Sequence, residues 1–379
     1  MKIDQLIYAN NKFKGEVTLG DKAQWILVFG SKQLICQSEI FDQIKCLYPN
    51  GYIMGCSSAG EIQGCNVADD TLIVTAVFLE KSSVVFSRFE LENNSNYHIT
   101  GKKIMDSLSA EELKHVFILC EGLNINGSKL VEGMRENNQF NIPITGGLSG
   151  DGSEFKATYV LANDYARSNQ IVVAAFYGDI NTSYASMGGW DTFGVERIVT
   201  KARNNVLYEI DGKPALDLYK EYLGEKANEL PASALLFPLS IRERKSAHSY
   251  VRTILAVDEE KKTLTFAGDI PVGAYCRLMK ANTDNLIDGS RHAIELSRDM
   301  ISGQRADLAI LISCIGRKLV LKQMVDEEVG VVKELMGNDT IISGFYSYGE
   351  ISPYKKDTTC ELHNQTMTIT LIGEECCHG

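Results

Sequence analysis

Two short polar phrases carry side chains suited to chemistry: Gly55-Cys-Ser-Ser58-Ala-Gly60-Glu61-Ile62 and Gly344-Phe-Tyr-Ser347-Tyr348-Gly349-Glu350-Ile351. In each, the first glycine permits a backbone bend, the serine hydroxyl can tie that bend, and a carboxylate follows the second glycine. Glu61 and Glu350 could accept hydrogen bonds from an amine or guanidinium ligand, or from a protein arginine; a purely structural turn is the equal alternative. A third stretch, Ile144-Thr-Gly146-Gly-Leu-Ser149-Gly150-Asp151, keeps the glycine and serine spacing but ends in Asp151 rather than glutamate.

The C-terminal part is chemically richer. Ser313-Cys314-Ile-Gly316-Arg317 closes an apolar run, the place where sheet proteins often put binding groups. Cys314 reacts or ligates a soft metal if Arg317 stabilises its thiolate, and otherwise fills space. The Arg317 fork could engage a ligand carboxylate or pair with Glu350. Phe345, Tyr346, Tyr348 and Tyr354 are dense enough to wall a pocket, or to form core. In His363-Asn364-Gln365-Thr366 the imidazole and amides could orient a polar ligand. His363 is also a candidate axial haem ligand, against the alternative of a hydrogen-bonded structural histidine.

Several enzyme readings fail on spacing. Gly-x-x-x-x-Gly-Lys-Ser/Thr, Gly-x-Gly-x-x-Gly and His-Glu-x-x-His are absent, and Ser58 and Ser347 lack the upstream glycine of a nucleophile elbow. A hydrolase therefore needs an unfamiliar arrangement. The formal charge of -11 without a long basic block disfavours nucleic acid or an anionic membrane as partner. No stretch approaches 18 apolar residues, and the first residues lack a signal peptide's apolar segment, so a cytoplasmic protein is expected. Cys36, Cys46, Cys120 and Cys314 read as small buried hydrophobes in a reducing compartment. Cys376, Cys377 and His378 are three soft ligands on a short tail, without zinc-knuckle spacing.

These groups need elements to hold them. Trp25–Phe29, His115–Leu119 and Leu308–Ser313 read as buried strands; Ser38–Leu47, Ser128–Arg135 and Leu319–Met336 read as helices; a second strand then enters each glycine loop. Another apolar strand follows each loop. Continuous rather than alternating apolar runs imply helices on both faces of a sheet. The material between the second and third units differs: a strand and Asp-Gly turn before Pro214, a helix from Ala215 stopping at Gly224, strands at Leu235–Phe237, Tyr250–Val257 and Leu264–Phe266, and a helix from Gly289. The expected fold is α/β to α+β, a two-part protein with repeated strand-helix-strand units and mixed, largely buried sheets flanked by helices. Its main boundary falls near residues 190–205, giving parts 1–195 and 196–373 and a tail 374–379.

With these segments in hand, the chain resembles the FIST sensory-domain family in both its N-terminal and C-terminal parts. The matching stretches are Gly55–Ile62, Gly146–Asp151, Asn205–Pro214, Ser313–Arg317, Gly344–Pro353 and His363–Thr366. The resemblance implies an intracellular input module that binds small molecules such as amino acids and informs a separate signalling protein, for instance a histidine kinase or cyclase. Some relatives bind haem and sense nitric oxide, which makes a haem sensor the second expectation and a protein-interaction module or unrecognised hydrolase the third. On the first reading a polar metabolite sits near the second phrase. Arg317 meets its carboxylate and Glu350 its amine, with Ser347, Tyr348, His363, Asn364 and Cys314 around it. Ser58, Glu61, Ser149 and Asp151 form a secondary loop set.

Overall fold

The computed structural model describes every residue except 93–94, 231, 245–248, 302–303 and 375–379; Cys376, Cys377 and His378 lie outside the described residues. Three stretches of chain build the same unit. In each, a first strand is followed by helix and then by a second strand parallel to the first. The pairs are Trp25–Gly30 with Tyr52–Ser57, Leu113–Cys120 with Ile144–Leu148, and Leu308–Cys314 with Ile341–Ser347. A return strand lies antiparallel on the first strand's other edge: Leu72–Phe78, Gln170–Gly178 and Met367–Glu374. An outer strand completes each row: Lys2–Ala9, Ser82–Glu90 and Ile180–Met187.

The unbroken apolar runs follow from burial on two faces. Trp25, Leu27 and Phe29 join Phe117, Leu119, Leu308, Ile310 and Ile312 in one cluster shared by all three units. Trp25 meets Phe117 and Phe176 edge-on at 6.0 and 5.1 Å, and Phe29 stacks on Phe345 at 4.6 Å, so aromatic contacts tie the first unit to both others. Alternate residues such as Ile26, Val28, Ile118 and Leu311 belong to the clusters that contain the helices.

After the second strand, a short crossing strand leaves its own sheet. Glu61–Gln63 pairs with Ile341–Ser347, Val160–Ala162 with Tyr52–Ser57, and Gly349–Pro353 with Ile144–Leu148. The first unit thus completes the third, the third completes the second, and the second completes the first. Two of the three sheets thereby combine strands from both sides of residue 195. Gly55, Gly146 and Gly344 hold equivalent places in this ring. A Cβ there would lie 2.1, 1.8 and 2.0 Å from the carbonyl oxygens of Val28, Ile118 and Leu311, so only glycine lets the parallel strands close up.

Residues 188–282 form an insert between the third unit's outer strand and its helix Thr283–Met300, with an eight-stranded sheet and the helix Ala215–Leu223. The strand expected at Leu235–Phe237 is instead a 3-10 turn, Ala232–Leu236; the strand is Leu239–Arg242, which begins past Pro238, where the backbone regains its N–H. The helix expected from Leu319 starts earlier and in two pieces, Ile315–Leu321 and Val325–Met336, broken at Lys322 with φ +54°. Cys120 and Cys314 are buried as expected, whereas Cys36 and Cys46 are exposed. No helix among the described residues is long and apolar enough to cross a membrane.

Candidate functional site

The two phrases fold into one hydrogen-bond circuit, built twice. The Ser347 hydroxyl donates to Glu350 Oε1 at 2.6 Å, and Oε2 accepts from the Thr366 amide and hydroxyl at 3.2 and 2.9 Å. In the first unit the Ser58 hydroxyl donates to Glu61 Oε1, and the Thr71 amide and hydroxyl donate to Oε2 at 3.1 and 2.8 Å. Each threonine immediately precedes a return strand, so the circuit fastens the crossing strand to the next strand of its own unit. Burial pushes the carboxyl of Glu350 up to about 8 and that of Glu61 up to about 7, against the pull of these donors.

The second unit departs from the pattern. Strand register puts Val160 opposite Cys56, the place that Glu61 takes opposite Phe345 and Glu350 opposite Gly147. Its Ser149 hydroxyl is buried with no partner among the described residues. Asp151 is not the missing carboxylate: it accepts from the amides of Phe155, Lys156 and Ala157 at 2.9 Å each, and from the Tyr348 hydroxyl. Burial pushes its carboxyl up, but the Ala157 amide, the Tyr348 hydroxyl and the Lys156 amide together hold it below its ordinary value.

Most residues expected around the second phrase are enclosed. Arg317 is fully buried; its Nε donates to Glu328 at 3.3 Å, Nη1 to the Gly188 carbonyl at 2.5 Å, and Nη2 to the Leu286 carbonyl at 2.7 Å and the Ser290 hydroxyl at 3.0 Å. The expected carboxylate contact is therefore an internal tie between the third unit and the insert's edge, and Glu350 is equally shut away from an amine. Cys314 is buried, and burial pushes its thiol well up, opposite to the lowered value a reactive thiolate requires. Tyr348 stacks on Phe155 at 4.5 Å, and Ser347 and Asn364 are buried. Glu328, the partner of Arg317, left no sequence signal because it sits eleven residues on, across a helix break.

The first phrase, by contrast, borders a cavity of about 530 Å³. All three units contribute. The first brings Ser31, Lys32, Ser58–Glu61, Asp69 and Asp70; the second Asp151–Glu154; the third Ile315, Lys318, Leu319 and Lys322. It lies at the carboxyl ends of the first unit's parallel strands and the third unit's first strand, where open sheets collect ligands. Lys32 pairs with Glu154 at 2.8 Å and Asp151 at 3.5 Å. Lys318 donates to the Ala59 carbonyl at 2.8 Å, pairs with Asp69, and stands over the Tyr346 ring. The lysines were missed because each belongs to a different stretch of chain, and surface lysines read as solvated in any one of them.

His363 stands apart, on a crevice of about 500 Å³ between the third unit and the insert. Its Nε2 bonds to the Ser352 carbonyl at 2.8 Å and so carries the proton, while burial lowers its pKa to about 4. A porphyrin buries both faces against apolar side chains; here Arg135, Glu243 and Glu361 line the same crevice, and Nε2 is already committed. Only Nδ1 of His363 is left to ligate an iron there, beside charged walls that suit a porphyrin poorly. His98, Glu132 and Glu136 also lie within metal-ligand range of one another, but Lys102 and Lys129 already neutralise the two carboxylates.

Among known proteins, the chain is 23 % identical over 350 residues to an uncharacterized protein of Methanocaldococcus jannaschii, covering 85 % of this chain and 65 % of that one. It is 23 % identical over 194 residues to an uncharacterized protein of Mycobacterium bovis, covering 49 % of each. The chain thus spans less than two thirds of the length of these curated relatives. A crystal structure of chorismatase aligns over 98 % of each chain at 8 % identity with a TM-score of 0.35, too distant to carry fold or function. The FIST N domain matches residues 24–213 and the FIST C domain residues 215–353, so this chain belongs to the FIST family of sensory domains.

Proposed function

We propose that this protein senses a small polar metabolite carrying both charges, of the amino-acid class, in the cavity beside the first phrase. FIST domains are sensory and signalling modules, which supplies the coarse function. One observation carries the finer reading: lysines and carboxylates from three units converge on a single cavity beside a buried serine-glutamate pair. Lys318 and Lys322 suit a carboxylate, and Asp69 and Asp70 an ammonium group. A ligand that replaced the Lys318 pairing with Asp69 would act on the first and third units at once, a route to the unequal affinity for two conformations that signalling requires. The readout passes to a separate partner such as a histidine kinase or cyclase.

The test is calorimetric titration against the amino acids, with Lys322→Ala and Asp70→Asn as variants on exposed or partly exposed positions. Saturable binding weakened at least tenfold by either variant is expected. Binding indifferent to both moves the ligand elsewhere, and no binding to any member removes the amino-acid class. Haem sensing returns if haemin produces a Soret band that His363→Ala abolishes. A hydrolase at Ser58 is disfavoured because the same serine-glutamate-threonine circuit exists at Ser347, where no substrate reaches it.

A further inference from the structure

The crevice at His363 shares no lining residue with the cavity at the first phrase. Its size falls within the range of small-molecule sites, and it lies between two bodies of the fold, a common place for them. One observation points to an occupant. Since Nε2 of His363 donates to a carbonyl, the neutral ring keeps a lone pair on Nδ1, which accepts from no described residue although His363 is only 5 % exposed. An unpaired acceptor on so enclosed a ring is rare, and where that ring lines a crevice it marks a place for a polar guest or ordered water.

The walls specify more. Trp190, Tyr250 and Tyr354 line the crevice, and the Tyr354 ring lies 6.5 Å from the His363 ring. Trp190 has its indole N–H spent on the Gln365 carbonyl at 3.0 Å, so it offers a fixed aromatic surface rather than a donor. Among the described lining residues, Arg135, Glu243 and Glu361 set one cation against two carboxylates, with Arg135 3.9 Å from Glu361. That balance repels phosphates and tolerates a neutral or singly cationic guest. We propose that this crevice binds a flat nitrogen heteroaromatic of purine-base size, neutral or singly cationic, which donates a ring N–H to Nδ1 of His363 and packs against Tyr250, Tyr354 and Trp190.

Adenine, hypoxanthine, cytosine and AMP serve as probes, titrated calorimetrically into the full chain. Trp25 and Trp190 are the two tryptophans, so Trp25→Phe leaves Trp190 as the sole indole and its fluorescence as a local readout. At least one free base should bind saturably, quench or shift Trp190 emission, and bind at least tenfold better than AMP. His363→Leu should weaken that base tenfold or more, Tyr354→Ala several-fold, and Lys322→Ala at the other cavity not at all. The proposal is overturned if none of the three bases binds at millimolar concentration, or if AMP binds best. Should His363→Leu fail to fold, Tyr354→Ala decides: its ring is 37 % exposed, and unchanged base affinity in that variant also overturns it.

Discussion

The Ser58–Glu61–Thr71 and Ser347–Glu350–Thr366 circuits have the same donors on the same carboxylate oxygens, yet the first sets its serine and glutamate beside a cavity, whereas the second buries both and brings only Thr366 to a crevice. The cover over the third unit comes from the insert and includes Gly188, Trp190 and Thr253. A circuit conserved in wiring across such different settings is a brace rather than a binding device. What differs is the opportunity beside it. Next to Glu61 the brace holds the Ala59 carbonyl and Gly60 where Lys318 arrives from another unit; Ser347 and Glu350 are fully buried.

The comparison can be broken at several points. Arg317→Ala should cost most, about 3–5 kcal/mol, because it strands the buried Glu328 charge. A loss below about 1 kcal/mol in a urea titration would mean that the cover over the third copy is loose. Gly55→Ala and Gly344→Ala should each cost about 3 kcal/mol or prevent folding, since both force a methyl onto a carbonyl at about 2 Å. If only one is destabilising, the two strand pairs are not equivalent. Glu350→Gln should cost about 1–3 kcal/mol and Glu61→Gln about 1 kcal/mol, as Ser58 and Glu61 border cavity water whereas Ser347 and Glu350 are fully enclosed. Equal losses would erase the proposed difference in setting.

The smallest effect is in pH. Both glutamates have folded values raised above that of an unfolded carboxyl, so the folded protein binds the extra protons. The resulting stability is complete below about pH 4.5 and is lost as pH rises through about 7 for Glu61 and about 8 for Glu350. Denaturation midpoints should therefore fall between about pH 6 and pH 9, and Glu350→Gln should flatten the upper part of that fall. An unchanged profile in the variant would show that Glu350 does not titrate there.

Much of the scaffold was legible from sequence. Trp25–Phe29, Leu308–Ser313 and the helix Ser38–Leu47 are strong local patterns, and each glycine phrase does end a parallel strand. The crossing strands were not legible, because Glu61–Gln63 reads as a loop until Ile341–Ser347 supplies its partner. The same limit governs the site. Arg317 looked available since nothing local announces Glu328 or the carbonyls of Gly188 and Leu286, and Lys32 and Lys318 looked ordinary because their convergence is tertiary. The Pro238 and Lys322 breaks were missed for a local reason: apolar periodicity outweighed a proline and a left-handed residue in reading those segments.

The cyclic exchange of crossing strands has a consequence for how the chain is born. As synthesis proceeds, residues 61–63 emerge long before residues 341–347, yet that is where they must dock. The first unit can collapse early, but it cannot hand over its strand until the third exists, and until the second arrives its own row of strands remains open at one edge. Contacts of such sequence separation close slowly and leave paired-strand surface bare meanwhile. A nascent chain of this design therefore keeps unpaired strand edges open to other chains until the last unit locks the ring.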